Sequence, residues 1–391
     1  MDSIPYGKQN ITVEDIQSVV DTLRGAMITQ GEKVPEFENQ ICKIVEAPYA
    51  VAVNSATSAL HLACMAIGVG KNDWVWTSST SFVASANCGL YCKAKVDFID
   101  IENETGLIDP KKLSKKLKEA ESTNKLPKVI VVVHLAGTSC EMRTIDQLAK
   151  RYGIKIIEDA SHAIGGKYEN YPVGSCMYSD ITVFSFHPVK IITTGEGGMA
   201  TTKSKEYANK MLLLRSHGIE KDKERFIGKG KEGWKYEQQY LGMNYRMTDI
   251  QAALGISQAA RLREIIDERN RIYARYEQEF LRRQIPVKLL NIPKNIRSAL
   301  HLCIIRLTDS DSKKHEELFK YMRENGVGVQ IHYSPIHLQP YYKDMGFKVG
   351  DLPNSELYEK QCMSIPLYPG LKRSEQDKVI ELLETFLRRN E

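Results

Sequence analysis

The sequence predicts an α/β protein: a large domain with a mixed, mostly parallel sheet flanked by helices, followed by a smaller α+β C-terminal domain. Three observations lead there. From about residue 50, short β-rich runs alternate with helix-like segments, the pattern of strands joined by helical crossovers. One run, "VIVVVHL" (129–135), is apolar at consecutive positions, as a strand covered on both faces must be. After residue 247 the alternation gives way to a long stretch rich in alanine, leucine and charge. With 391 residues the chain suits two domains, placed at 1–250 and 251–391, the second including the bridging helix. The N-terminal segment is a candidate to pack on the second domain.

In chain order, "AVAVN" (50–54) reads as a strand and "TSALHLACMAIG" (57–68) as an apolar helix. "VWTSS" and "FVASANCGLY" repeat the pair, and "KVDFID" (95–100) leads to a helix over 110–120 whose Leu113 and Leu117 lie four apart on one face. "VIVVVHL", a helix through "TIDQLAKRYG", and "IKIIED" (154–159) follow. "DITVFSFHPVK" (180–190) is a strand running to Lys190, and "TTGEGGMATT" (193–202) opens another. The segment 247–281 reads as one long helix with Asp249 near its start, where a carboxylate suits the helix dipole. Beyond it come "ALHLCIIRL" (299–307), a helix near 313–324, "GVGVQIHYSP" (326–335) and a closing amphipathic helix over 375–389.

Composition excludes several classes of function. A net charge of +5, from 54 basic and 49 acidic residues, is too small and dispersed for a nucleic-acid binder. The basic run "KKLSKKLK" (111–118) reads as the solvated face of a helix. No apolar stretch has the length of a membrane span or the form of a signal peptide, so a cytoplasmic protein is expected. Eight cysteines without a CxxC pair read as reduced core residues, with no metal site. "GKGKEG" (228–233) matches the dinucleotide fingerprint letter for letter but lacks the strand before it and the helix after it, so a loop is expected.

Three segments carry chemistry. A strand ends at Asn54 and a helix begins near Thr57 and Ser58, offering free N–H groups, two hydroxyls and the positive end of a dipole to a phosphate. Taken alone, ordinary helix capping explains those hydroxyls equally well. Asp159 ends an apolar strand and is followed by small residues and His162; a carboxylate there needs a cation or strong donors, although helix capping is again an alternative. Lys190 follows Ser185, Phe186 and His187, precedes Ile191 and Ile192, and meets no other charge before Glu196 among glycines 195, 197 and 198. A phosphate cup, an edge aspartate and a lysine among glycines are together what pyridoxal phosphate requires: an anchored phosphate, a carboxylate for the pyridine nitrogen and an amine for the aldehyde.

With these residues in place, the chain resembles the DegT/DnrJ/StrS family of sugar-nucleotide aminotransferases, fold-type-I pyridoxal phosphate enzymes. The resemblance runs from "IPYGKQNI" and "TQGEKVPEFE" through "NSATSALHLA", "EDASHAIGG", "SFHPVKIITTGEGG" and "LGMNYRMTDIQAALG" to "SIPLYPGL". "HLAGTSCEM" (134–142), "SFHPVK" and the segment 331–356 are similar to the pseudaminic acid branch, which aminates C4 of a UDP-linked 4-keto-6-deoxy-N-acetylhexosamine. The resemblance implies that Lys190 bonds the cofactor and shuttles the proton, and that Asp159 pairs with the pyridine nitrogen. It places His162, where many relatives have Gln, near the ring 3-oxygen, and Phe82 on the ring face. Thr57, Ser58 and Ser185 would hold the phosphate, joined by Asn244 from the other subunit of a homodimer with shared sites. Arg246 is the candidate for the carboxylate of L-glutamate, and His332, Tyr333 and His187 are candidates for the sugar nucleotide. Rival readings are a nucleotide sugar of other stereochemistry or with a C3 keto group, and a non-catalytic cofactor-binding regulator; Lys190 argues against the dehydratase branch, which has His there.

Overall fold

The computed structural model describes residues 3–228, 232–308 and 312–389. Its centre is a sheet of seven strands in the order β1-β9-β8-β5-β4-β2-β3. These are β1 (Tyr49–Val53), β2 (Trp74–Ser78), β3 (Lys95–Ile99), β4 (Val129–Val133), β5 (Lys155–Asp159), β8 (Ile181–Ser185) and β9 (Gly198–Thr202); β6 (Lys167–Tyr168) and β7 (Tyr171–Pro172) form a small hairpin beside it. Only β9 runs against the others: it pairs antiparallel with both β1 and β8, and the remaining pairs are parallel. The sheet is therefore mixed and mostly parallel. Six strands point their carboxyl ends at one edge, where ligands of such sheets bind, and β9 begins there.

Both faces of the sheet are covered, as the unbroken apolar run of β4 requires. Val129 and Val131 enter one cluster with Leu60, Leu62 and Val183, while Ile130 and Val132 enter another with Trp76 and Ile156. Strand pleating separates alternate residues in this way. The helices on these faces are α1 (Val13–Arg24), α2 (Lys33–Val45), α3 (Ala56–Ile67), α4 (Ala84–Tyr91), α5 (Pro110–Ser122), α6 (Met142–Arg151) and α7 (Lys205–Leu214). Local chemistry starts them: Ser55 caps α3 by accepting from Ser58 N at 3.1 Å, and Asp109 caps α5 immediately before Pro110 at its first position.

The helix expected over 247–281 is two: α8 (Asp249–Ala260) and α9 (Leu262–Arg282), joined at Arg261. The two pieces share a partner at the joint and part only further along α9. On α8, Ala252 and Ala259 join Phe37 of α2 in one cluster, and Gly255 packs on the Phe37 ring so closely that a Cβ there would lie 2.6 Å from it. Arg261 turns its guanidinium back to Asp15 (2.7 Å) and Asn10 (3.1 Å), which fixes the bend. Leu262, Ile265 and Ile266 still belong to the Phe37 cluster, whereas Ile272, Tyr276 and Phe280 belong to the core of the second unit. We propose on that ground that the boundary between the units falls within α9 rather than at residue 250.

Two short strands, β10 (Ile219–Glu220) and β11 (Glu237–Gln238), pair in an arm ahead of α8. The second unit contains β12 (Val287–Leu289), β14 (Cys303–Leu307) and β15 (Cys362–Ile365) as an antiparallel sheet, covered by α10 (Ser312–Glu324) and α13 (Arg373–Arg389). Between them, β13 (Ile296–Arg297) pairs with β6 of the large unit, and α11 (Pro340–Lys343) and α12 (Pro353–Gln361) form the lobe around 336–361. The N-terminal segment reaches this unit: Ile4 bridges to Val327 and shares the core with Val329 and Ile365. Of "GKGKEG", residues 229–231 lie outside the described residues.

Candidate active site

At the carboxyl edge of the sheet lies a cavity of about 380 Å³, lined by residues that follow β1, β5 and β8 and by residues of the second unit. Lys190 enters it from the turn after β8, where its backbone N–H donates to His187 O at 2.9 Å. Its Nζ makes no hydrogen bond or ion pair among the described residues. Burial lowers its pKa to about 8, and the negative charge of Asp159 acts in the opposite direction.

Asp159 ends β5 and is 6% exposed. Its carboxylate accepts from Ser85 Oγ at 2.6 Å, Ser161 Oγ at 2.6 Å and Ser161 N at 3.2 Å. These donors fix its orientation beside the cavity. A hydroxyl at 85, inside α4, carries no motif of its own and was not singled out from the sequence.

The cup at the start of α3 differs in detail from the expectation. Thr57 lines the cavity together with Ser55, Ala56 and, across from them, Ser185. Ser58 does not: its hydroxyl donates to Asn54 Oδ1 at 2.7 Å and lies 3.0 Å from Ser55 Oγ, so it is committed to the turn. Being the cap residue, Ser55 faces outward and supplies the second hydroxyl in its place. The first N–H groups of α3 have no partner within the helix and sit at its positive end. Gly198, at the start of β9, passes so close behind this turn that a Cβ would lie 2.5 Å from Ala56 N. Any side chain there would displace the cup.

His162 is buried, and both ring nitrogens are engaged: Ala136 N–H donates to Nδ1 at 3.2 Å, and Nε2 lies 3.1 Å from Tyr333 Oη. Burial, with the charge of Lys190 next, keeps it far below the ordinary histidine value. Phe82 is half-open at 57% exposure, and its ring lies 6.3 Å from that of Tyr333 across the cavity. His187 sits exposed at the rim, and His332 lies in the wall with Nδ1 at 2.8 Å from Ser364 Oγ. Two wall residues escaped the sequence reading. Tyr6 comes from the N-terminal segment, and His301 stands as a lone polar ring in "ALHLCIIRL" with its Nδ1 buried and unpartnered among the described residues.

Asn244 and Arg246 do not line the cavity of their own chain. Asn244 is exposed, its backbone bridged to Ser216, and the adjacent Tyr245 O accepts from Asn54 N at 2.9 Å. A different constellation, Ser79–His337–Glu356, has the residue types of a hydrolytic triad, with His337 Nδ1 at 2.7 Å from Ser79 Oγ and Nε2 at 3.1 Å from Glu356. Ser79 and His337 are fully buried, so no substrate reaches them; the chain ties the 336–361 lobe to the end of β2. Among the described residues no His, Cys, Asp or Glu cluster could hold a metal ion.

The donor set fits pyridoxal phosphate on the structure's own terms. An unpartnered, half-buried amine, an oriented carboxylate, and a helix start with two hydroxyls converge on one cavity, and Gly198 leaves the cup unobstructed. Comparisons agree. A model of the DegT/DnrJ/EryC1/StrS aminotransferase family matches residues 9–384. The chain is 39% identical over 384 residues to the UDP-4-amino-4,6-dideoxy-N-acetyl-beta-L-altrosamine transaminase of Campylobacter jejuni (strain 81-176), covering 98% of this chain and 97% of that one. It is 37% identical over 390 residues to the spore coat polysaccharide biosynthesis protein SpsC of Bacillus subtilis, with 98% and 97% covered. Among solved structures, the PLP form of the putative sugar aminotransferase Spr1654 from Streptococcus pneumoniae superposes with TM-score 0.90 at 29% identity, covering 99% of each chain. PseC of Helicobacter pylori, an aminotransferase involved in the biosynthesis of pseudoaminic acid, gives 0.90 at 28%, covering 99% of this chain and all of that one (100%). The shared architecture is fold type I.

Proposed function

Since the chain belongs to the DegT/DnrJ/EryC1/StrS aminotransferase family and is a pyridoxal-phosphate-dependent sugar aminotransferase, we propose that it moves the amino group of L-glutamate to C4 of UDP-2-acetamido-2,6-dideoxy-β-L-arabino-hex-4-ulose. The product is UDP-4-amino-4,6-dideoxy-N-acetyl-β-L-altrosamine, a precursor for pseudaminic acid or a related surface glycan. The observation that carries the reading is the convergence of Lys190, Asp159, Ser185 and the α3 start on one cavity, in a chain of this family.

When bound, pyridoxal phosphate supplies an aldehyde to react with amines and a ring that takes up electrons from the carbon losing its proton. The chain's residues do the rest. Asp159 would hold the positive pyridine nitrogen, with Ser85 and Ser161 holding Asp159. Ser55, Thr57, Ser185 and the α3 N–H groups bind the phosphate. Phe82, in the cavity wall, would flank the ring. Lys190 Nζ, a neutral amine above about pH 8 in the free site, would take the proton from the α-carbon of the donor and, in the second half of the exchange, deliver a proton to C4 of the sugar. Asn244 is assigned to the site of a second subunit, and Arg246 to the donor carboxylate, with His187 and His332 near the nucleotide sugar.

SpsC, whose name points to a different polysaccharide, is almost as similar as the altrosamine transaminase, which favours a second keto sugar as the alternative. Incubating the protein with L-glutamate and a panel of UDP-linked 4-keto and 3-keto sugars, with NMR of the products, decides. The altrosamine product alone supports the proposal; amination only of another sugar replaces the substrate, and no amination of any sugar overturns the reading.

A further inference from the structure

Away from Lys190 and Asp159, the cavity is walled by Tyr6, His301, His332 and Tyr333, with His162 behind them. This wall carries no charge at neutral pH. Burial lowers all three histidines, His332 to about 3, and the nearby Lys190 charge adds to the effect; burial also raises the Tyr6 and Tyr333 hydroxyls above the ordinary phenol value. An amino-acid donor needs a cation for its carboxylate. A neutral wall of hydroxyl and imidazole groups instead suits the carbonyl and hydroxyl oxygens of a sugar ring.

We propose that Tyr333 is the hydrogen-bond donor that recognises an oxygen of the keto sugar, and that His162 acts as its positioning residue. The direction of the hydrogen bonds fixes these roles. Ala136 N–H donates to His162 Nδ1 at 3.2 Å, so Nδ1 carries the lone pair and the neutral ring carries its proton on Nε2. That proton is donated to Tyr333 Oη at 3.1 Å. With its oxygen accepting from His162, Tyr333 has one hydrogen left to give, and no hydrogen bond to another acceptor occurs among the described residues; Tyr333 lines the cavity. The two rings lie 20° from parallel with centroids 6.0 Å apart, which sets the phenol's direction.

The relay is anchored in backbone. Gly137, at φ +98°, lets the turn after β4 press against the His162 segment: a Cβ there would lie 2.8 Å from both His162 O and Leu300 N. The same turn aims Ala136 N–H at the imidazole, and Ala136 O accepts from His301 N at 2.8 Å. The family resemblance alone would give His162 to the cofactor ring oxygen. In the structure both its nitrogens are already taken, and the group it presents to the cavity is the Tyr333 hydroxyl.

The inference rests on the aminotransferase reading of the same cavity, and the test separates the two. Cofactor-loaded protein is titrated calorimetrically with UDP-2-acetamido-2,6-dideoxy-β-L-arabino-hex-4-ulose in the absence of amino donor, so that no turnover occurs. Tyr333→Phe is expected to weaken binding about tenfold, equivalent to about 1.4 kcal/mol. It is also expected to raise the KM for the sugar far more than the KM for L-glutamate. His162→Leu reproduces the loss. His162→Gln restores most of it, because an amide can accept from Ala136 N–H with its oxygen and donate to Tyr333 with its nitrogen. If wild-type protein binds and aminates the sugar while Tyr333→Phe binds within twofold of it, the inference falls and the aminotransferase reading stands. It falls equally if His162→Gln is folded but as impaired as His162→Leu. A wild type that neither binds the sugar nor takes nitrogen from glutamate overturns the functional reading itself.

Discussion

A lysine amine in water stays protonated to about pH 10 and is then neither base nor nucleophile. At residue 190, burial against the β8 turn outweighs the attraction of Asp159, and the amine loses its proton near pH 8. The sign follows from which form burial disfavours: below about pH 8 Lys190 is charged, above it neutral, while exposed lysines remain charged for about two more units. In protein stripped of cofactor, a limiting dose of trinitrobenzenesulfonate at pH 8.5 is therefore expected to modify Lys190 ahead of the other lysines. Labelling spread evenly over the exposed lysines would overturn this. Lys190→Ala should abolish turnover and leave the far-ultraviolet circular dichroism unchanged; an unfolded variant would show that the lysine is structural.

At this scale legibility followed the strands. Asp159, Ser185 and Lys190 stand just after apolar runs, where a parallel sheet collects its ligands, and linear order sufficed to find them. Telling Ser55 from Ser58 takes the structure, because which serine faces the cavity depends on which of them caps the helix. His301 and Tyr6 carry no local signal at all. They meet the site only through the packing of the second unit and the N-terminal segment, contacts between residues hundreds of positions apart.

Between elements, the least visible link in the sequence is Asp15. It lies in α1, fully buried, and accepts from Ser257 Oγ (2.6 Å), Gln258 Nε2 (2.6 Å) and Arg261 (2.7 Å), binding α1 to the α8–α9 bend. Burial alone would raise its pKa, yet the hydrogen bonds from Ser257, Thr12 and Gln258 and the Arg261 charge together hold it below the usual aspartate value. A carboxyl depressed in the folded state stabilises above its unfolded pKa of about 3.9 and loses that contribution as pH falls through the lower folded value. Asp15→Asn is thus expected to cost about 2 to 4 kcal/mol at pH 7, and the gap between variant and wild type should begin to narrow as pH falls below about 4. Urea midpoints measured from pH 7 to pH 3 check this; a gap that stays constant would show that the carboxylate's charge contributes nothing. The bend itself explains why one helix was expected. Helical periodicity runs unbroken through Arg261, and the tie of its guanidinium to Asp15 and Asn10, which no periodicity records, marks the break.

The whole molecule leaves two faces unfinished. Ile227 (82% exposed), Trp234 (85%) and Leu241 (80%) stand out from the arm around β10 and β11, and Val13 and Ile16 from α1. Apolar groups clustered outside a core mark contact surfaces. Asn244 emerges from the base of that arm, exposed and away from its own cavity. A closed twofold dimer would bury the arm against a second copy and bring Asn244 to the neighbour's phosphate cup. If each site takes Lys190 from one subunit and Asn244 from the other, inactive variants must complement. A Lys190→Ala homodimer has no reactive amine, and an Asn244→Ala homodimer lacks the contact in both sites. In a mixed dimer one site collects both substitutions and the other collects neither. After unfolding and refolding equal amounts together, half the dimers are mixed with one intact site each, so activity should return to about a quarter of wild type. Refolding each variant alone should restore none. If the mixture stays as inactive as its parts while subunit exchange is demonstrated, Asn244 serves its own chain and the shared-site dimer is wrong.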